Sequence, residues 1–138
     1  MENMVFTSPF LKAFFDQESK IYTSVYLPET RNMTDMEWQE LMKEIVGVIE
    51  KYKPDYIIDD NRERLYDYSP DMQKWTLELF IESWNKIGLR KYAQIIPKDI
   101  LGKLTTHQIE ELATNEFLMN YKVKIVDDLE SAFSWIQK

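Results

Sequence analysis

Residues 34–60 read TDMEWQELMKEIVGVIEKYKPDYIIDD, a helix pattern followed directly by a strand pattern. The Thr34 hydroxyl and the Glu37 carboxylate can each satisfy an otherwise free backbone N–H, which is the capping box of a helix start. Large apolar side chains then recur at spacings of three and four residues, as on the buried face of a helix: Trp38, Leu41, Met42, Ile45, Ile49 and Tyr52. Pro54 cannot continue a helix, and the apolar run at residues 56–58 predicts a short buried strand.

The flanking sequence continues this alternation. Aromatic and β-branched runs on either side of a polar turn predict an N-terminal antiparallel hairpin, and residues 4–7 extend its first strand or form a strand of their own. The predicted strands cover residues 10–15, 20–27, 55–59, 92–96 and 122–126. The predicted helices begin at Thr34, Ser69, Thr105 and Asp128, the third in a second capping box with Gln108. The order ββαβαβαβα predicts an α/β fold whose mixed sheet is mostly parallel, with the hairpin at one edge.

Length and composition limit the classes of protein. The 138 residues predict a single domain over residues 1–138. Acidic residues outnumber basic ones by 24 to 17, and the resulting negative surface disfavours nucleic-acid binding and anionic membranes. The chain has no cysteine, no signal-peptide pattern near its start and no apolar run approaching the roughly 18 residues of a membrane span. We therefore expect a soluble, cytoplasmic protein.

No established catalytic or cofactor-binding motif is present in the sequence. Phosphate-binding loops need clustered glycines, but the three glycines of this chain lie far apart. His107 is the only histidine, and no partner for a catalytic triad or a zinc site accompanies it. We predict no cofactor.

Asp59 and Asp60 are the strongest chemical candidates. Ligands of open parallel sheets bind beyond the carboxyl ends of the strands, and an acidic pair there can hold Mg²⁺ through its oxygen atoms. Lys98 and Asp99 follow the next predicted strand at the same edge. The pair is a weak metal candidate, because Arg62 and Arg64 can equally serve to balance it in a solvated loop.

Several stretches resemble the STAS/SpoIIAA-like group of small bacterial domains, whose fold is shared by lipid-exchange domains of the Sec14 (CRAL-TRIO) type. The stretches are EKYKP (50–54), DYIID (55–59), SPDMQKW (69–75), KYAQIIPK (91–98) and DLESAFSWI (128–136). The resemblance spans roughly residues 10–138 and consists mainly of packing and capping residues. It implies a SpoIIAA-like fold and a candidate phosphorylation or partner site at Ser69, although Ser69-Pro70 replaces the Gly-flanked serine turn of that family.

Three hypotheses for the function follow. The first is a non-enzymatic regulatory module that binds a protein partner through the loop after the central strand and the helix that follows it. Its candidate partner surface consists of Asp60, Arg62, Tyr66, Tyr68 and Asp71. The second is a small-ligand or lipid-binding domain, as Sec14-like relatives suggest, and the third is a Mg²⁺-dependent phosphoryl-transfer enzyme that uses Asp59 and Asp60. The sequence is also compatible with a homodimer.

Overall fold

The computed structural model describes residues 2–97 and 99–138, except for the side chains of residues 100 and 101. The strands are β1 (Glu2–Thr7), β2 (Leu11–Asp16), β3 (Ile21–Tyr26), β4 (Tyr56–Asp60), β5 (Lys91–Ile95) and β6 (Lys122–Val126). The helices are α1 (Asp35–Tyr52), α2 (Pro70–Ile87), α3 (Ile100–Glu116) and α4 (Leu129–Ile136), and a short 3₁₀ helix (Pro28–Asn32) precedes α1. The predicted α/β class is confirmed.

The strands form one mixed sheet in which the spatial order follows the chain, β1-β2-β3-β4-β5-β6. The first three strands are antiparallel, and β3 to β6 are parallel. The antiparallel N-terminal hairpin and the parallel strands after it are therefore confirmed. The alternative in which residues 4–7 form a strand of their own is confirmed, because β1 pairs with β2 and extends the sheet at its edge. The sheet therefore has one strand more than the predicted order ββαβαβαβα.

The two faces of the sheet are covered unequally. The larger hydrophobic core lies between the sheet and α1 and α2, with Trp38, Met42 and Ile57 near its centre. A smaller core on the opposite face joins Ile58 of β4 to Ala132 of α4 and to other buried apolar side chains. The apolar side of a helix determines which face of the sheet it covers: α1 and α2 pack on the face of the larger core, and α4 packs on the opposite face.

The ends of the first two helices were predictable from local sequence. The capping box of α1 is present, with Thr34 accepting from the Glu37 N–H and Glu37 accepting from the Thr34 N–H. Ser69 accepts a hydrogen bond from the Met72 N–H at the start of α2. Gly88 ends α2 in the left-handed region at φ 76°, where glycine avoids the strain that a Cβ atom would add.

The third helix begins earlier than predicted. It extends over Ile100–Glu116, so Thr105 and Thr106 lie inside the helix and the predicted second capping box is wrong. Asp99 occupies the N-cap position without a side-chain cap hydrogen bond. The Thr106 side chain is instead fully buried and accepts a hydrogen bond from Arg64 at 3.3 Å, so a tertiary contact replaces the local one.

None of the helices within residues 2–97 and 99–138 combines the length and the hydrophobicity that crossing a bilayer would require.

Candidate functional site

The site is built around Asp59, the penultimate residue of β4. Side chains alternate between the two faces along a strand, and Asp59 lies on the face of the larger core. Its register partners are Ser24 on β3 and Gln94 on β5. Ser24, Asp59 and Gln94 therefore form one row of polar residues across three neighbouring parallel strands. The Tyr92 hydroxyl of β5 donates a hydrogen bond of 2.8 Å to the Asp59 carboxylate.

Burial shapes the ionisation of this carboxyl group. Loss of hydration raises the pKa of Asp59 to about 6, since the charged form is the one that water stabilises most. The hydroxyls of Tyr92 and Ser24 and the charge of Arg64 favour the ionised form and lower the pKa, but burial outweighs them. Asp59 therefore changes charge within a pH range in which an ordinary aspartate stays ionised.

Asn61 and Arg64 come from the loop that follows β4. The Asn61 N–H donates to the Ile95 carbonyl at 3.1 Å, which extends the β4–β5 pairing by one residue and fixes the direction of the loop. The Arg64 guanidinium donates to Thr106 on α3 and lies over the Tyr68 ring at 5.3 Å. Both side chains are buried, with 1% and 5% exposure respectively.

These residues line a cavity of about 180 Å³ between the sheet, α2 and α3. Its polar lining includes Asp59, Asn61, Arg64 and Gln94. Its apolar lining includes Phe80, Trp84, Ile109, Ala113, Met119 and Val123. The polar residues lie at the carboxyl ends of β4 and β5 and in the following loop, whereas Trp84 lies near the end of α2 and Val123 near the start of β6. The cavity thus has a polar end and an apolar end.

Most of the unpartnered buried polar atoms in the described part of the chain belong to this cavity. Five buried side-chain atoms there have no hydrogen-bond partner, and four of them belong to three residues that line the cavity. They are the amide nitrogen and oxygen of Asn61, Nε of Arg64 and Nε1 of Trp84. A buried donor or acceptor without a partner costs about 1–3 kcal/mol. Their concentration around one cavity indicates groups that a bound molecule can satisfy.

An aromatic cluster supports the loop from the side of α1. Trp38 is 1% exposed and packs between the rings of Tyr66, at 4.5 Å, and Tyr26, at 5.9 Å. Its indole N–H donates to Thr76 on α2 at 3.0 Å, and Tyr68 contacts its ring at 5.1 Å. The cluster holds residues 61–69 against the helices, so Arg64 is presented from a supported segment.

The predicted partner surface is therefore not a continuous exposed surface. Tyr66 and Tyr68 were expected to be exposed loop aromatics; both are buried at 6% exposure, which corrects that expectation. Their rings gain more from contact with Trp38 than a solvated loop would allow. Asp60 is also buried, whereas Arg62 is partly exposed and Asp71 is exposed.

Asp59 and Asp60 do not converge on one point. Asp60 lies on the opposite face of the sheet and accepts three hydrogen bonds from Arg62, one from the backbone N–H at 3.2 Å and two from the guanidinium at 2.9 Å and 2.6 Å. Within residues 2–97 and 99–138, no group of three or more histidine, aspartate or glutamate side chains is placed to hold a metal ion. Asp99 is exposed at the start of α3, and Lys98 lies outside the described residues.

Ser69 and His107 lie away from the cavity lining. The Ser69 hydroxyl is exposed at the N-cap of α2, where it accepts the Met72 N–H at 3.2 Å. His107 is exposed on α3. The capping role of Ser69 is thus present in the structure, and its phosphorylation stays a prediction.

Sequence reasoning assigned no binding role to Asn61, Arg64, Gln94 or Trp84. Arg64 was interpreted only as a charge that balances the acidic pair, and Trp84 only as a core residue. The available signal was position, because Asn61 and Gln94 lie at the carboxyl edge where ligands of parallel sheets bind. Nothing in the local pattern distinguishes their side chains from solvated loop residues.

Comparison with known proteins provides no relative from which to transfer a function. No protein-family model matches the chain, and no curated protein or solved structure matches it either. The resemblance to the STAS/SpoIIAA-like group therefore stays a prediction from sequence.

Proposed function

We propose that this protein is a small-ligand-binding domain whose ligand occupies the cavity between α2, α3 and the sheet. The observation that carries the proposal is the set of unpartnered buried atoms of Asn61 and Arg64 at the polar end of that cavity. A mostly apolar pocket with a few converging polar groups is the usual form of a small-molecule site.

The size of the cavity limits the ligand. A dry cavity of roughly 150 Å³ accommodates a benzene molecule, so about 180 Å³ suits a compact molecule of about ten non-hydrogen atoms. Its apolar part would pack near Trp84 and Val123. Its polar part would meet Asn61 and Arg64 at the other end. A long lipid chain exceeds this volume, so the lipid-exchange version of the hypothesis has less support.

The other two hypotheses have less support from the geometry. A protein-binding module would lose the aromatic anchors expected of it, because Tyr66 and Tyr68 pack against Trp38. A Mg²⁺-dependent enzyme built on two carboxylates would need both at one point, whereas Asp60 is bound to Arg62 on the opposite face. The ligand-binding hypothesis uses the observed positions without rearrangement.

Native mass spectrometry tests the proposal directly. The protein is purified without denaturation, together with Ala113→Met, which fills the apolar end of the cavity, and Glu111→Met, which adds the same side chain to an exposed position of the same helix. We expect a non-covalent mass on the wild type and on Glu111→Met, released by denaturation, and none on Ala113→Met.

A second measurement covers a ligand that is lost during purification. ¹H–¹⁵N spectra of the wild type are recorded with a library of fragments of up to about ten non-hydrogen atoms. Binding should move the Trp84 indole signal, with the Trp135 indole on the opposite face of the sheet as the internal reference. The absence of both a co-purifying mass and any fragment that moves the Trp84 signal would refute the proposal.

A further inference from the structure

Arg64 is a buried cation that forms no ion pair with a described carboxylate, although its charge acts on the nearby Asp59 through space. Its side chain is 5% exposed, and the ion pairs found within residues 2–97 and 99–138 are Arg62–Asp60 and Lys86–Glu50. Of its five N–H donors, one nitrogen bonds the neutral Thr106 hydroxyl, and Nε has no partner. Buried charges are normally paired, since an uncompensated one is costly to remove from water.

We propose that the ligand of the cavity is a small organic monoanion of the carboxylate type, held at its charged end by Arg64 and Asn61. This inference rests on the proposed function and names the class of ligand. The anionic oxygens would accept from Arg64 Nε and from the Asn61 amide, the two unpartnered donors at the polar end. The hydrocarbon part would extend toward Trp84.

The position of the guanidinium suits a planar anion. Thr106 holds one arm of the Arg64 fork, and the Tyr68 ring lies against it at 5.3 Å, so the orientation of the guanidinium is fixed before a ligand arrives. A fixed guanidinium keeps its Nε–H in place for a carboxylate oxygen, and little side-chain entropy is lost on binding. A neutral amide could use the same donors but would leave the positive charge uncompensated.

The acidic residues that line the cavity limit the number of negative charges on the ligand. Asp59 and Glu110 both line it and repel any anion, so a second negative charge on the ligand would add repulsion that no second lining cation offsets. One buried arginine can compensate one negative charge. We therefore expect monocarboxylates to bind and dicarboxylates of the same size to be rejected.

Paired probes test the charge requirement. Benzoate and benzamide have nearly the same shape, as have hexanoate and hexanamide, and each is titrated into ¹⁵N-labelled protein while the Trp84 indole and Arg64 Nε–H signals are followed. We expect each carboxylate to bind the wild type at least tenfold more tightly than its amide. Arg64→Gln should abolish that preference. Arg62→Gln, which changes the neighbouring arginine on the opposite face, should keep the preference.

Each contrary result has a separate meaning. Equal affinity of the wild type for benzoate and benzamide, or unchanged benzoate affinity in Arg64→Gln, refutes the anion and leaves the cavity as a ligand site. If no probe moves the Trp84 signal while a co-purifying molecule is present, the anion again fails alone. If no co-purifying molecule is found and neither a probe nor a library fragment moves the Trp84 signal, the anion and the proposed function are both refuted. Arg64→Lys keeps the charge and serves if Arg64→Gln does not fold: it should retain the preference for carboxylates.

Discussion

The Tyr92 hydroxyl donates a 2.8 Å hydrogen bond to the carboxylate of Asp59, across the junction of β5 and β4. Both side chains lie under the helical layer, where the bond is partly shielded from water. The bond favours the ionised carboxylate, and burial favours the protonated one. Their balance gives this pair a pH-dependent effect on the stability of the fold.

We expect the contribution of Asp59 to the free energy of unfolding to decrease as the pH rises from about 4 to about 6. Burial raises the pKa of Asp59 from 3.8 to about 6 in the folded protein, so within this range the folded state retains a proton that the unfolded chain has lost. Raising the pH then favours unfolding, by up to about 3 kcal/mol above pH 6. Urea unfolding of the wild type and Asp59→Asn from pH 4 to pH 7 should show the variant gaining relative stability over this range. Parallel profiles would contradict the prediction.

Tyr92→Phe tests the second of the two effects on the pKa of Asp59, the hydrogen bond that favours the ionised carboxylate. The variant loses the hydrogen bond to the ionised carboxylate, so the pKa of Asp59 should rise further. The variant should be destabilised more at pH 8, where Asp59 is charged in the folded protein, than at pH 4, where the folded protein keeps Asp59 protonated. Equal destabilisation at the two pH values would mean that Tyr92 acts only through packing.

Filling the cavity should stabilise the protein in the absence of ligand. Ala113 is buried on α3 and lines the apolar end of the cavity. Methionine at this position buries additional methylene groups, each worth about 0.8 kcal/mol, and its flexible chain adapts to irregular space. We expect Ala113→Met to raise the midpoint of thermal unfolding by a few degrees, measured by circular dichroism. Glu111→Met, on the exposed side of the helix, should leave the midpoint nearly unchanged, and a lowered midpoint in Ala113→Met would show that the space is not accessible.

The contact between Trp38 and Thr76 should be energetically coupled. The Thr76 hydroxyl accepts the indole N–H at 3.0 Å and donates to the Met72 carbonyl at 2.8 Å. Thr76→Val preserves the shape but strands the buried indole donor, at a cost of about 1–3 kcal/mol. In a Trp38→Phe background that donor is gone, so the same substitution should cost much less. A double-mutant cycle from urea unfolding measures the difference, and additive effects would argue against the coupling.

Ser69 separates a capping role from a regulatory one. Ser69→Ala removes the acceptor for the Met72 N–H and should cost about 1 kcal/mol, whereas Ser69→Asp keeps an acceptor and should cost a few tenths. Ser134→Ala, an exposed serine inside α4, is the matched control and should leave the free energy of unfolding almost unchanged. Equal losses in Ser69→Ala and Ser69→Asp would exclude a cap that an acidic side chain can replace.

The parts of the fold that local sequence determines were predictable. Thr34, Ser69 and Gly88 mark helix ends by chemistry that needs only neighbouring residues, and the structure has each of them in that role. β1 needs the backbone of β2 as its partner, so its separate existence depends on a contact that the local pattern does not contain. α3 begins after Asp99, which makes no side-chain cap hydrogen bond. The start was predicted at Thr105 instead, because the capping pattern there was the stronger local signal.

The candidate site was predictable only in its location. Asp59 and the carboxyl edge of the sheet follow from strand order. The burial of Arg64 depends on Thr106, and that of Tyr66 and Tyr68 depends on Trp38, all residues distant in sequence. A polar loop with two arginines and two tyrosines has the same composition whether water or a packed helix surrounds it.

The strictly sequential order of the strands bears on how the protein is made. Each strand pairs with its immediate predecessor in the chain, so a nascent chain can extend the sheet at one growing edge while the ribosome is still synthesising the remainder. The polar end of the cavity needs Thr106 of α3 as well as β4 and β5, and its apolar end needs Val123 of β6. A ligand that needs both ends of the cavity could bind only after β6 has joined the sheet, so its stabilising effect would follow the assembly of the strands rather than guide it.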